Sequence, residues 1–143
     1  MSDPILKTGY RRNVKTAGEL VEEILTQNDC LDIGMARANI KESQMHYHKK
    51  TTEYYYIISG KGAVVIAKPK NNRRDVFASF RIDGVYHLVE GDALVIPPRI
   101  GHYAVSDVDN FNVLVVSTPA WNKKDHHLLT ESKRDKNVYN QNL

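Results

Sequence analysis

Three histidines and one glutamate have a spacing that could hold a metal ion. His46 and His48 lie two residues apart, and on a β-strand such side chains point to the same face. Glu53 follows after a polar stretch that can turn the chain, and it opens a run of strand-forming residues. His102 would complete the set from a distant strand. Such a donor set suits one divalent Fe, Mn, Ni, Cu or Zn ion, and an octahedral metal would keep two positions open.

Strand patterns surround these residues. Leu31 to Ile40 alternate in polarity, the segment 63–67 is wholly apolar, and residues 77–82, 93–96 and 111–117 are also predicted strands. Asp83-Gly84 predicts a hairpin turn between two strands. Residues 68–76 are basic and predict a solvated loop.

One short helix is predicted before the strands. Thr16 and Glu19 have the spacing of a capping box, in which each side chain can bond the other residue's backbone amide. Asn28 is a plausible end of this helix. The apolar residues between them recur at helical spacing: Leu20, Val21, Ile24 and Leu25.

The histidines and their neighbouring glycines resemble the two sequence motifs of the cupin superfamily. The first motif is matched at His46, His48, Glu53 and Gly60, and the second at Gly91, Pro97 and His102. The resemblance covers roughly residues 30–118 of what looks like a small single-domain cupin. It implies an all-β fold, a double-stranded β-helix (jelly-roll) barrel with a metal inside one end. We expect an N-terminal segment with the short helix at 1–29, the barrel at 30–118 and a tail at 119–143.

The sequence departs from the family pattern at positions that are not metal ligands. The family has glycine where Ile40 and Arg99 stand, and often asparagine where Ser106 stands. A glycine appears instead at Gly101. Such glycines usually supply a positive φ, so the family pattern does not determine the geometry of the loop before His102. The alternative to a metal site is a polar strand face with one hydrogen-bonded, buried histidine.

The resemblance implies a range of functions. It includes dioxygenases, decarboxylases, sugar-phosphate isomerases and non-catalytic binders, because a fold does not fix a function. We expect a mononuclear metalloenzyme that acts on a small organic molecule. The alternative is a non-catalytic cupin that binds a sugar or small metabolite. The family also suggests a homodimer.

Other residues could line the barrel. Alternation from Glu53 turns Tyr55 inward, where it is either a catalytic candidate or a large core residue. Arg37 and Asn39 point into the barrel above the metal if their strand is regular, or lie at an edge after a bulge at Gly34.

The remaining histidines lie outside the motifs. We expect His87 to be structural or to support the metal ligands. His126 and His127 follow Trp121 in a tail that resembles the segment after the barrel in many small cupins, and adjacent histidines of a surface tail usually bind no metal. Trp121 is expected to pack on the barrel.

Composition limits the possible partners. The 143 residues suffice for one domain, and the net charge of +3 is too small and too scattered to predict nucleic-acid binding. No apolar run is long enough to span a membrane. The single cysteine, Cys30, excludes an internal disulfide and fits the reducing cytoplasm.

Overall fold

The computed structural model describes residues 12–16, 18–69 and 80–129, with Pro69 described by its backbone alone. Within these ranges the chain forms eleven strands and one 3-10 helix, Lys123–Asp125. The strands, β1 to β11 in chain order, are Arg12–Lys15, Glu19–Leu25, Gly34–Ile40, His46–Tyr47, Thr52–Ser59, Lys61–Pro69, Phe80–Val89, Ala93–Ile96, Gly101–Val105, Asn112–Thr118 and His127–Leu128. No helix in the described ranges is long and apolar enough to cross a membrane.

The strands form two antiparallel sheets, which confirms the predicted all-β fold. One sheet has the order β1-β2-β3-β10-β5-β8, and the other has the order β11-β4-β9-β6-β7. Neighbours in each sheet are mostly distant in sequence, as expected for a jelly roll. The first sheet supplies Glu53 on β5, and the second supplies His46 on β4 and His102 on β9.

The main core lies where the inward faces of the two sheets meet. Ile57, Val64, Phe111 and Val113 are completely buried there, and Tyr55 belongs to the same cluster. A second cluster includes Val65 and Tyr103, whose neighbours along each strand point to the main core, so it covers the other face of the second sheet. Packing therefore holds both sheets firmly around the residues at the end of the barrel.

The predicted helix at residues 16–28 is wrong. One hydrogen bond of the expected capping box is present, because the Glu19 amide donates to Thr16 Oγ1 at 3.1 Å. From Glu19 onwards the chain is strand β2, which pairs with β1 on one side and with β3 on the other. Backbone hydrogen bonds from two neighbouring strands thus override a helical spacing of only four apolar residues.

Two further local predictions are corrected. Asp83 and Gly84 lie inside the continuous strand β7 rather than in a hairpin turn. The pairing of β7 with β6 shifts its register at this point, between Ile66 and Ala67 of β6. Arg37 and Asn39 point away from the barrel, because the buried residues of β3 are the alternate positions Ala38 and Ile40. The hydrogen bond of Asn39 Nδ2 to the Asp109 carbonyl keeps that side chain outside.

Some predictions stay untested. Most of the basic loop, from residue 70 onwards, and the last residues of the tail lie outside the described residues. The division of the chain at residues 29 and 118 stays a prediction.

On the outer face of the first sheet, Tyr54, Tyr56 and Val95 are each between 41% and 57% exposed, and we call these residues the tyrosine face.

Candidate metal centre

The structure brings together the four residues that the sequence predicted as ligands. His46 on β4 is the direct cross-strand partner of His102 on β9, so their imidazoles project side by side. His48 follows β4, and Glu53 lies near the start of β5 in the opposite sheet. All four side chains are buried. The cluster therefore spans the two sheets at one end of the barrel.

Backbone carbonyls fix the orientation of all three imidazoles. Nδ1 of His46 bonds the Gln44 carbonyl at 2.8 Å, and Nδ1 of His48 bonds the Asp125 carbonyl at 2.8 Å. Nδ1 of His102 bonds the Ile100 carbonyl at 3.0 Å. A carbonyl only accepts, so each Nδ1 carries a proton, and each ring in its neutral form has its lone pair on Nε2. The three lone pairs are thus available to a metal.

The donor atoms have the spacing of a mononuclear site. All four residues offer a ligand atom within 4.8 Å of the others. Nε2 of His46 lies 3.8 Å from Glu53 Oε1, Nε2 of His102 lies 3.7 Å from Oε2, and Nε2 of His48 contacts Oε1. Two atoms bound to one metal at about 2.1 Å each lie at most about 4.2 Å apart. These separations need little adjustment to surround one ion.

Two of the imidazole nitrogens have no hydrogen-bond partner among the residues that the structure describes. Nε2 of His48 and Nε2 of His102 are fully buried, and the contact of His48 with Glu53 lacks the geometry of a hydrogen bond. Buried polar atoms in folded proteins are nearly always partnered. The residues present therefore fit a divalent metal that would complete the site.

The charges of the cluster are those of a ligand set. Burial alone would raise the pKa of Glu53, but the neighbouring His102, His46 and His48 outweigh it and hold this pKa well below its usual range. Burial, together with the nearby His102, lowers the pKa of His46. Burial also opposes the charged form of His48, yet contact with Glu53 raises its pKa. An anionic carboxylate thus lies among imidazoles, as metal binding requires.

Three residues in or near the two motifs have a positive φ, and one of them connects the motifs by a hydrogen bond. Gly60 and Gly91 adopt positive φ values of 78° and 90°. Arg99, at a position where the sequence analysis expected the family's glycine, also adopts a positive φ of 68°. Its amide donates to the His48 carbonyl at 2.6 Å, which connects the second motif to the first. Arg99 therefore has the left-handed backbone conformation that favours glycine.

Asp125 in the tail fixes the turn between His48 and Glu53. Its carboxylate accepts hydrogen bonds from the amides of Lys49 at 2.9 Å, Lys50 at 3.0 Å and Thr51 at 3.3 Å. Its own carbonyl accepts from His48. One tail residue therefore orients a ligand and the turn that leads to the next ligand.

Sequence comparison supports the family. A model of the Cupin family matches residues 10–138. The chain belongs to the cupin family. No curated protein matches it significantly.

Solved structures with the same fold are distant in sequence. A variant of oxalate decarboxylase from Bacillus subtilis superposes with a TM-score of 0.64 at 19% identity, over 93% of this chain and 35% of the decarboxylase. The chain thus spans about a third of that relative. A variant of Streptomyces Pac13 with uridine gives 0.64 at 12% identity, over 95% of this chain and 98% of Pac13. KdgF from Halomonas sp. superposes with a TM-score of 0.58 at 16% identity, over 78% of this chain and 89% of KdgF. At these identities the likeness shows the fold.

Tyr55, the predicted catalytic candidate of this cupin, lies beside the cluster. Its side chain is buried, and its ring centroid is 6.2 Å from that of His102. Burial, followed by the charges of Glu53 and Glu19, raises the pKa of Tyr55 well above its usual value. The phenol is therefore neutral, and it can donate a hydrogen bond more readily than it can act as a base.

A fourth imidazole lies against the cluster, that of His126, for which the sequence analysis expected no metal binding. The ring of His126 stacks on His46 with centroids 4.3 Å apart, and it lies 5.5 Å from His48. Trp121 Nε1 donates to His126 Nδ1 at 3.2 Å. Burial and the neighbouring His46 and His48 lower the pKa of His126 to about 3. The Pro-aromatic-acidic pattern of the tail was the only sequence signal for this arrangement.

The other predicted histidines lie elsewhere. His87 is exposed on β7, where it pairs with Ala63. His127 pairs with Tyr47 across β11 and β4 and stacks on that ring at 5.0 Å. Trp121 is 43% exposed, and its amide donates to Ser117 Oγ at 2.9 Å.

Glu19 also acts on this site, although the sequence pointed only to a helix cap. Burial raises the pKa of Glu19, His46 lowers it, and the charge of Glu53 raises it further. These interactions require the carboxyl group to lie within the electrostatic reach of the cluster. The alternation of Glu19 and Val21 along a strand could have revealed this, but the helical interpretation concealed it.

Proposed function

We propose that this cupin is a mononuclear metalloenzyme that acts on a small organic molecule. His46, His48, Glu53 and His102 would hold one divalent ion of Fe, Mn, Ni, Cu or Zn. The observation that carries the proposal is the pair of buried Nε2 atoms of His48 and His102, which make no hydrogen bond among the described residues and face the carboxylate of Glu53. A hydrogen-bonded core would leave no such pair.

The chain's own residues would prepare the site for chemistry. When bound, the metal would act as a Lewis acid on a carbonyl or enediol oxygen, or support oxidation by O₂. The fixed imidazoles keep their lone pairs directed at the ion without reorganisation. Tyr55 would donate a hydrogen bond to a substrate oxygen, since its proton is held at high pH. The four protein ligands leave room for a substrate on an octahedral metal.

The substrate class and reaction type remain as broad as the family. Two proteins of similar fold are named for reactions of small molecules, oxalate decarboxylase and the nucleoside dehydratase Pac13. We propose oxygenase, decarboxylase or sugar-isomerase chemistry, the range that the family resemblance implies. The second candidate is a non-catalytic cupin that binds a sugar or small metabolite at the same site.

We also propose a cytoplasmic homodimer. The single half-buried cysteine, Cys30, fits a reducing compartment. The tyrosine face offers apolar and aromatic area on a sheet that a second copy could cover.

Metal analysis tests the central proposal. The protein is purified without added metal or chelator, and its metal content is compared with that of the double variant His46→Ala/His48→Ala. His87→Ala is the matched control, because it removes an exposed imidazole from another part of the barrel. We expect about one ion per chain in the natural protein and the control, and almost none in the double variant.

The identity of the metal then directs the activity assays. Iron, copper or nickel would lead to assays of O₂ consumption, and zinc or manganese to decarboxylase and isomerase screens. Tight metabolite binding without turnover would favour the non-catalytic candidate. If the natural protein contains no metal and takes up none on soaking, the metalloenzyme proposal is wrong.

A further inference from the structure

Glu19 places a carboxylate on the inward face of the first sheet. In the pairing of β2 with β3, Glu19 is opposite Ile40 and Val21 is opposite Ala38. Directly paired residues of antiparallel strands project to the same side of the sheet. Ile40 and Ala38 belong to the main core, and Val21 packs against it. The side chain of Glu19 therefore points into the barrel.

The Glu19 carboxylate has no polar partner of its own there. Among the described residues, no hydrogen bond or ion pair reaches its side-chain oxygens, and it is not one of the four clustered ligands. Its charge nonetheless interacts with those of His46 and Glu53, two of the proposed metal ligands, and raises the pKa of Tyr55, which lies beside the site. Its negative charge therefore acts on whatever occupies the open side of that site.

Basic side chains do not offset this charge. Every lysine and arginine in the described ranges is exposed except Arg99, which is half-buried. The charge of Arg99 acts on Tyr47, and alternation along β4 turns Tyr47 away from His46 and the barrel interior. A substrate carboxylate would find no guanidinium or ammonium partner on the described barrel wall.

The net charge of the occupied metal site depends on Glu19. A divalent ion with Glu53 as its single anionic ligand has a net charge of about +1, which attracts anions. An ionised Glu19 brings the total to about zero. We propose that Glu19 is a specificity-determining residue that makes the site select neutral hydroxyl or carbonyl compounds over carboxylates. This inference rests on the proposed metal site and narrows its substrate class, because it argues against the carboxylate substrates that a decarboxylase would require.

Ligand binding to a cobalt-loaded protein tests the role of Glu19. Co²⁺ is loaded into the natural protein and Glu19→Gln, and the visible absorption of the ion reports binding of azide, an anion, and of imidazole, a neutral ligand. The titrations are carried out at pH 8, which is well above the usual pKa range of carboxyl groups. The matched control is Glu22→Gln, which removes the same charge from the same strand but at a position opposite the outward-facing Arg37.

We expect azide to bind at least about tenfold more tightly to Glu19→Gln, because a unit charge within about 10 Å of the ion would, at an effective permittivity near 20, change a binding constant by roughly that factor. Imidazole affinity should change less than about twofold, and Glu22→Gln should match the natural protein. Glu19→Asp, which keeps the charge, should also match it, and Glu19→Ala replaces Glu19→Gln if the latter does not fold.

Each other outcome overturns the inference. Equal azide affinity in the natural protein and Glu19→Gln, with full cobalt loading in both, would refute the role of Glu19 and leave the metal site standing. An equal gain for azide and imidazole would indicate a change of access rather than of charge. A natural protein that takes up no cobalt would refute the proposed function, and this inference with it.

Discussion

Removal of the Asp125 carboxylate should destabilise the protein and weaken metal binding together. The carboxylate accepts hydrogen bonds from three consecutive amides, those of Lys49, Lys50 and Thr51, and it is only 15% exposed. These amides form the turn that separates His48 from Glu53. The perturbation is Asp125→Ala, with Asp125→Asn as the milder change, because an amide oxygen can still accept one or two of the bonds.

The size of the loss in unfolding free energy depends on whether water can replace the carboxylate as the partner of each amide. Lys49 and Lys50 are exposed, so water can replace their lost partner, whereas Thr51 is 2% exposed and its amide would stay unpaired. An unpaired buried donor costs about 1–3 kcal/mol, and a hydrogen bond to a charged group contributes about 1.5–3 kcal/mol. We expect the free energy of unfolding to fall by about 2–4 kcal/mol in Asp125→Ala and by about 1–2 kcal/mol in Asp125→Asn.

Urea unfolding with a chelator present measures this stability, and competition with a coloured zinc chelator measures metal affinity. Affinity should fall about 10- to 100-fold in Asp125→Ala, since the turn no longer holds two ligands in place. The control Asp107→Ala, at an exposed aspartate after β9, should change stability by less than about 0.5 kcal/mol. Unfolding and zinc affinity in Asp125→Ala equal to those of the control would refute this reasoning.

Three further predictions concern the barrel and its surface. In Gly62→Ala the added Cβ would lie 2.5 Å from Cε2 of the buried Phe111, so urea unfolding should show a loss of about 1–3 kcal/mol. Trp121→Phe removes the donor to Nδ1 of His126, and nitrogen NMR shifts should then show a mixture of both tautomers of this ring; a single unchanged tautomer would contradict this role of Trp121. Sedimentation should show a dimer that Tyr56→Lys, on the tyrosine face, converts to monomer; a monomeric natural protein at high concentration would exclude this interface.

The sequence by itself predicted the fold class and the candidate ligand cluster. His46 and His48 share a face through the two-residue period of a strand, and this local rule needs no tertiary information. The motif glycines Gly60 and Gly91 do have the positive φ that their residue type suggests. The strand patterns and the two motifs together were specific enough to predict a cupin barrel.

Only the tertiary structure decided which other groups surround the cluster. Glu19 lies on a strand because two neighbouring strands supply its backbone hydrogen bonds, and no local pattern contains those partners. His126 and Asp125 reach the site because β11 pairs with β4, across about 80 residues of chain. Hydrogen bonds, burial and charge act between residues that the fold brings close in space, whereas sequence periodicity reports only on neighbours along the chain.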